Sequence, residues 1–276
     1  MSTEHAIAQH YAHGSLEQAI LDALAAAGKD PDHLSAADLS AVDEFHIGGR
    51  LATAEFARQM GVRKDMRLLD VGCGLGGPAR YFASEHGCRV TGIDLSEEYA
   101  AVANALSTRV GLADLVNCRQ GSALALPFAP ASFDGAYLLH VGMNIADKAA
   151  LFAGIRRVLA PSGVLGIYDV MRTGAGELAL PVPWTSSPET SFVEDAPTYR
   201  RLLAAAGFEV RQERNRRDFA LEAFQKMRAR EGSGRPALLG LHIVMGPTAA
   251  RKVANMAADI ELGVIAPVEM ICRAIP

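Results

Sequence analysis

Cysteine is scarce: Cys73, Cys88, Cys118 and Cys272 are the only four in 276 residues. They form no C-x-x-C pair and fit no zinc-ribbon or disulfide spacing, so neither a structural metal nor a covalent framework is expected. Reduced thiols in a cytoplasmic protein are the plain reading. No apolar run approaches the roughly 18 residues that a membrane span needs. The longest suspect stretch, residues 237–250, contains His242 and is broken by Gly246-Pro247. Met1 to His10 shows no basic region followed by an apolar one, so no signal peptide is expected. An excess of one charge is also missing. Lys and Arg total 27 against 31 Asp and Glu, a net charge of -4, which argues against binding nucleic acid through bulk charge. His5, His10, His13, His33, His86 and His242 share no ligand spacing, so no metal is expected.

What is present is a core-forming composition. Half the residues are hydrophobic, enough for a core without disulfides, and 21% are charged, too few for a largely disordered chain. The length suits one domain with an extension. Leu16, Ala19, Ile20, Ala23, Leu24 and Ala27 fall at helical spacing, and Gly28 stops the run. A polar stretch with Pro31 follows. Residues 42–50 then read as a loop opening a second helix that ends near Met60. Residues 1–60 are therefore expected to form a helical cap or lid, and residues 61–276 the main domain.

From Met66 the pattern alternates between strand and helix. Leu68 to Val71, Arg89 to Asp94, Leu115 to Arg119, Phe133 to Leu139 and Val164 to Val170 read as strands, with helical periods between most of them. Such alternation predicts a parallel sheet covered on both faces. Residues 174–188, rich in Pro, Gly and Ser, read as an irregular active-site loop holding the only tryptophan, Trp184. A helix and the strand Phe208 to Val210 resume after it. Helices around 219–230 and 248–262, a hinge at Gly232-Ser233-Gly234 and a closing strand, Val268 to Cys272, complete the chain.

The chemistry centres on Asp70-Val71-Gly72-Cys73-Gly74-Leu75-Gly76-Gly77, between the first strand and the first helix of the alternating region. Glycines there let backbone approach a ligand at the carboxyl edge of the sheet. Gly72, Gly74 and Gly77 satisfy G-x-G-x-x-G, so an NAD-linked oxidoreductase has to be weighed. Asp94 closes the second strand, where a carboxylate accepts ribose hydroxyls, and it suits NAD and S-adenosylmethionine equally. Asp70 separates the two. A carboxylate at the loop entrance repels a pyrophosphate but suits the ammonium of a sulfonium amino-acid ligand.

This string resembles motif I of class I S-adenosylmethionine-dependent methyltransferases. Asp94-Leu95, Gly121 to Phe128, Phe133 to Ala136 and Arg157 to Leu165 resemble that family's later motifs, in family order over roughly residues 42–211. The resemblance implies an α/β, Rossmann-like sheet, mostly parallel with its last strand antiparallel, with helices on both faces and an N-terminal helical extension. It implies S-adenosylmethionine as cofactor, held by Asp70, Gly72, Gly74, Asp94, Leu95, Ser122, Ala123 and Leu139. Ser122 departs from the family, whose members carry an aspartate there that accepts from the adenine amino group.

Gly72 to Tyr81, Phe45 to Gly49 and His140 to Asn144 look like the small-molecule branch, nearest to sarcosine/dimethylglycine N-methyltransferase-like proteins. That implies a small-molecule methyl acceptor, an amine first, with O- or C-methylation of a phenol, quinone or other secondary metabolite as the alternative. His140 and His46 are the expected catalytic histidines, since a hydroxyl or carbon acid needs a base. Asn144, Met143, Tyr168 and Trp184 are expected at the substrate. Leu139 to Gly142 lacks the Pro-Pro of nucleobase methyltransferases. The cluster Arg211, Arg214, Arg216 and Arg217 reads as a solvated strand edge and helix start. No nucleic-acid or membrane partner is expected, and a homodimer is compatible with this reading.

Overall fold

A strand that is apolar toward both faces must lie inside a covered sheet. In β1 (Arg67–Val71), Leu68, Leu69 and Val71 are all fully buried. Around it lie β2 (Arg89–Asp94), β3 (Val116–Gln120), β4 (Phe133–Leu139), β5 (Leu159–Arg172), β6 (Phe208–Asn215) and β7 (Ile265–Ala274). The computed structural model describes residues 3–11, 14–231 and 239–275, so the expected hinge at Gly232-Ser233-Gly234 lies outside the described residues. The sheet order is β3-β2-β1-β4-β5-β7-β6. Its first five strands pair in parallel, and β7 runs antiparallel between β5 and β6. This is the mostly parallel sheet that was expected. Chain direction of travel reverses between β1 and β4, and in such sheets ligands bind beyond the strand ends at that point.

The helices in chain order are α1 (Thr3–His10), α2 (Leu16–Ala26), α3 (Ala36–Asp43), α4 (Gly49–Met60), α5 (Gly77–His86), α6 (Glu97–Arg109), α7 (Lys148–Val158), α8 (Ala196–Ala205), α9 (Arg217–Glu231), α10 (His242–Met245) and α11 (Ala249–Glu261). On one face of the sheet, Leu151, Phe152 and Ile155 of α7 and Leu203 of α8 join Leu69, Leu138 and Ile167 in one core. On the other, Phe56 of α4 and Phe82 of α5 join Leu68, Tyr137 and Tyr168. None of the described helices is long and apolar enough to cross a membrane.

The N-terminal helices have their own core. Leu16, Ile20 and Leu24 of α2 pack with Val102 and Leu106 of α6 and Val244 of α10. Helix α3 occupies a stretch expected to be polar chain, together with the first two residues of the expected loop. A capping box starts it: Ser35 Oγ accepts from the Asp38 amide and the Asp38 carboxylate accepts from the Ser35 amide. Eight residues with weak apolar periodicity hid it.

The arginine cluster corrects the expectation of a solvated edge. Arg214 and Arg216 both bind the buried Glu269 of β7 and also reach Glu55 of α4, and the Arg216 guanidinium lies 4.3 Å from the Phe219 ring centre. Arg217 donates to the carbonyls of Ile260 and Glu261. These groups tie α4 and α9 to the sheet, and only Arg211 keeps the surface character expected.

A second buried pair joins the N-terminal helices to the glycine loop. Arg80 of α5 donates to Asp43 Oδ2 at 2.8 Å and to the Leu75 carbonyl at 2.6 Å. Its other terminal nitrogen reaches the Ala103 carbonyl and Ser107 Oγ, both at 3.1 Å. Both partners are 1% exposed. Removing one member of such a pair leaves an uncompensated buried charge. Arg80→Met should therefore lower unfolding free energy by roughly 3–5 kcal/mol. Urea denaturation checks this, and a loss near zero would mean that the pair does not hold the two regions together.

Candidate functional site

The turn after β1 is shaped by glycines in left-handed conformations. Gly72 has φ +74° and Gly74 φ +52°. A Cβ on Gly72 would stand 2.5 Å from Val141, so only glycine lets β1 run under the turn after β4. A Cβ on Gly74 would meet nothing within 4 Å, because this residue borders open space. That space is a cavity of about 180 Å³, whose wall includes Asp70, Gly72, Gly74, Asp94, Leu95 and Ala123.

Two carboxylates define its chemistry. Asp94 Oδ2 accepts from the Gly74 amide at 2.9 Å and Oδ1 from the Ser96 amide at 2.9 Å. Each oxygen keeps a lone pair for a ligand hydroxyl. Burial raises the Asp94 carboxyl above the usual range, against these two hydrogen bonds. Asp70 accepts from the Tyr137 hydroxyl at 3.0 Å, and burial pushes its carboxyl up to about 8. A cationic group beside Asp70 would return it to the charged form. An open glycine cradle, a carboxylate pinned to that cradle and a second one awaiting a cation suit the sulfonium amino-acid ligand implied by the sequence. When bound, that ligand supplies an activated methyl carbon. Asp70 would face its ammonium and Asp94 its ribose.

Leu139 and His140 also line this cavity. His140 has φ +55°, unusual outside glycine, and its amide donates to the Tyr168 carbonyl at 2.7 Å. The His46 and His140 rings meet edge to face at 6.0 Å. His46 Nε2 lies 3.2 Å from the Gly49 carbonyl and 3.0 Å from Thr53 Oγ, whose proton goes to Glu44 Oε2 at 2.7 Å. The Gly49 carbonyl can only accept, so Nε2 carries the hydrogen and Nδ1 is the basic nitrogen. Burial pushes His46 down to about 4 and His140 well below its ordinary value, so both are neutral at pH 7.

A larger cavity, about 460 Å³, adjoins the first, and Tyr11, Phe45, His46 and His140 belong to both walls. Met143 and Trp184 line it, whereas Asn144 lines the smaller one. Asn144 accepts from the Tyr11 hydroxyl at 3.2 Å and donates to the Trp184 carbonyl at 3.0 Å, bridging α1 and the Trp184 loop. Tyr168 lines neither cavity. Its hydroxyl donates to the Ile47 carbonyl, and its ring lies behind the two histidines. Ser122 is also absent from the wall, because its hydroxyl turns to Glu4. Glu4, Asp43, Glu44 and Thr53 belong to no motif of the sequence. The adjacent acids Asp43-Glu44 just before His46 were the available signal; Glu4 had none.

Asp94→Ala should weaken S-adenosylhomocysteine binding by about 1.5–3 kcal/mol, the scale of hydrogen bonds to a charged group. Gly74→Val should abolish binding with the circular dichroism unchanged, because a β-branched side chain would occupy the cradle. Binding near pH 7 should release up to about one proton, because Asp70 ionises on meeting the ammonium, so affinity rises with pH toward 8. Calorimetry in two buffers of different ionisation enthalpy measures this. Release that persists in Asp70→Asn would show that another group is responsible.

Residues 69–167 match the family model of a methyltransferase domain. Sterol 24-C-methyltransferase ERG6B of Gibberella zeae is 35% identical over 117 residues, covering 42% of this chain and 31% of that protein. O-methyltransferase resE of Aspergillus sclerotiorum is 37% identical over 124 residues, covering 44% and 47%. The matches thus span less than half the length of these curated relatives. A Galdieria sulphuraria structure, described as a candidate sarcosine dimethylglycine methyltransferase, aligns with TM-score 0.63 at 20% identity over 81% of this chain and 84% of its own. A geranyl diphosphate methyltransferase structure aligns with TM-score 0.70 at 19% identity over 98% of both chains. The family match shows that the chain carries a methyltransferase domain over residues 69–167, and the solved structures share its fold.

Proposed function

We propose that the protein transfers a methyl group from S-adenosylmethionine to a bulky, uncharged small molecule held in the larger cavity. One observation carries this reading: the two cavities share a wall at Tyr11, Phe45, His46 and His140, which gives cofactor and acceptor a common meeting point. The larger cavity is lined by Trp184, Phe219, Phe224, Met227, Met245 and Met256 among others. Thioether side chains adapt to irregular apolar shapes. The charged residues of its described wall are Glu44, Glu222 and Lys226, and Lys226 lies 3.8 Å from Glu222.

A sarcosine- or dimethylglycine-like amine is the acceptor implied by the branch resemblance. Its carboxylate would need a cation, and the described wall offers only Lys226, already beside an acid. The size and apolarity of the cavity favour the O- or C-methylation alternative. In that reaction the acceptor's oxygen or carbon forms a bond to the methyl carbon as the methyl–sulfur bond breaks, leaving a neutral thioether. The proton released passes to Nδ1 of His46. The Gly49 carbonyl and Thr53 hold the other ring nitrogen, and Glu44 acts through Thr53 as a positioning residue.

Labelled cofactor, offered with a panel of phenols, quinols, sterol-like polycycles, sarcosine and dimethylglycine, tests the reading. Apolar hydroxyl or carbon acceptors should be methylated, and preferential turnover of the two amino acids would overturn the acceptor class. His46 must be neutral to take a proton, so kcat should stay level from pH 8 to about 5 and fall as pH approaches 4. His46→Ala should lower kcat by about 10²–10⁴-fold while leaving S-adenosylhomocysteine affinity within about threefold. A fall centred near 6.5 instead would assign the proton to an ordinary, hydrated histidine.

A further inference from the structure

Besides Asp70, Asp94 and the Arg80-paired Asp43, the cofactor cavity has a fourth carboxylate in its wall, and it comes from the N-terminal helix. Glu4 of α1 lines the cavity together with Ile7, Ala8, Gly121, Ala123 and Leu124. Its Oε1 accepts from Ser122 Oγ at 2.5 Å, and that hydroxyl in turn accepts from the Leu124 amide at 3.0 Å. Glu4 is thereby held at the carboxyl end of β3. Its other oxygen, Oε2, makes no hydrogen bond to the described residues. Position along the sheet indicates what this oxygen meets. Asp70 stands at the end of β1 and Asp94 at the end of β2, and β3 is the next strand outward. An amino-acid group at Asp70 and a ribose at Asp94 put the base at β3, between the apolar side chains of α1 and the turn after β3. The base is adenine, whose exocyclic amino group is a hydrogen-bond donor, and a carboxylate only accepts.

We propose that Glu4 recognises the adenine amino group, so that an acid carried by α1 reads the base in place of an acid on the sheet at position 122. Ser122 aims the carboxylate and does not touch the ligand. This rests on the cofactor reading given above and goes beyond it. Base recognition is built on a helix that also reaches the acceptor side, because Tyr11 just beyond α1 lines both cavities and donates to Asn144. Adenine then holds α1 closed over the meeting point of the two cavities.

The experiment compares S-adenosylhomocysteine with S-inosylhomocysteine, in which a carbonyl oxygen replaces the amino group. Calorimetry on the full chain should give the wild type at least about tenfold tighter binding of the adenine ligand, the scale of one hydrogen bond to a charged acceptor. Glu4→Gln keeps the size of the side chain but adds an amide donor, so it should bring the two affinities within about threefold of each other. Glu4→Ala should lose adenine affinity, and Ser122→Asp in the Glu4→Ala background should restore the preference for adenine. An unchanged ratio in Glu4→Gln, with S-adenosylhomocysteine still bound, would overturn the role of Glu4 and leave the cofactor reading standing. Failure of the wild type to bind S-adenosylhomocysteine at all would overturn both.

Discussion

The arrangement of this site depends on a single buried guanidinium. Arg80 sits one turn into α5, directly after the glycine turn, and its donors reach α3 through Asp43, the turn itself through Leu75 and α6 through Ala103 and Ser107. The planar fork of arginine can satisfy several acceptors at fixed angles, which an ammonium cannot do in the same way. The segment that covers the cavity and the segment that cradles the ligand thus share one anchor. The backbone packing agrees: a Cβ on Gly77 would stand 2.2 Å from the Asp43 carbonyl, so α3 and α5 approach as closely as glycine permits. The loop holding Glu44 and His46 begins at the very next residue after Asp43.

The second constraint is electrostatic. Asp70 and Asp94 line one cavity, and burial raises both. Repulsion between them adds to the rise at Asp70. Only a cation relieves such an arrangement without protons, which makes the cavity selective for a positively charged ligand and unfavourable to a pyrophosphate. The adjoining cavity has the opposite character. Its shared wall carries two neutral histidines together with Tyr11 and Phe45. A sulfonium placed at that junction meets neutral rings from the shared wall, and a neutral nucleophile meets it in a poorly hydrated setting.

Much of the sheet was legible because its signals are local. Leu68 to Val71 and Phe133 to Leu139 are apolar runs flanked by turns, and the glycine string after Asp70 has few other uses. The strands lengthened in the structure where pairing, not composition, decides. β6 runs on to Asn215 through alternating charged residues, because β7 supplies its hydrogen-bonding partner and Glu269 its countercharge. That is also why the arginine cluster was misread: no local pattern announces a carboxylate more than fifty residues away. Asp70, Gly72, Gly74, Asp94, Leu95, Ala123, Leu139, His46, His140 and Asn144 all came to one cavity, and Met143 and Trp184 to its neighbour. Tyr168 and Ser122 fell just behind the walls, since sequence places a residue at a sheet edge without fixing which way its side chain turns.

Glu4 shows the limit of motif reading most clearly. A motif records which residue types follow one another along the chain, whereas a cavity wall is filled by whatever element reaches it. Ser122 stands where the family that the sequence resembles carries an aspartate, and the sequence places it among the cofactor residues. In the structure an acid reaches Ser122 from 118 residues away, on a helix on which no motif falls. The replacement changes more than the origin of an oxygen atom. An acid on the sheet is fixed with the core, whereas the place of an acid on α1 depends on the packing of that helix. Tyr11 and Asn144 extend the same helix's contacts to the Trp184 loop and the acceptor side. On the proposed role of Glu4, base recognition and shaping of the acceptor cavity share one helix, so a ligand that satisfies Glu4 would lower the cost of organising the pocket where the second substrate binds.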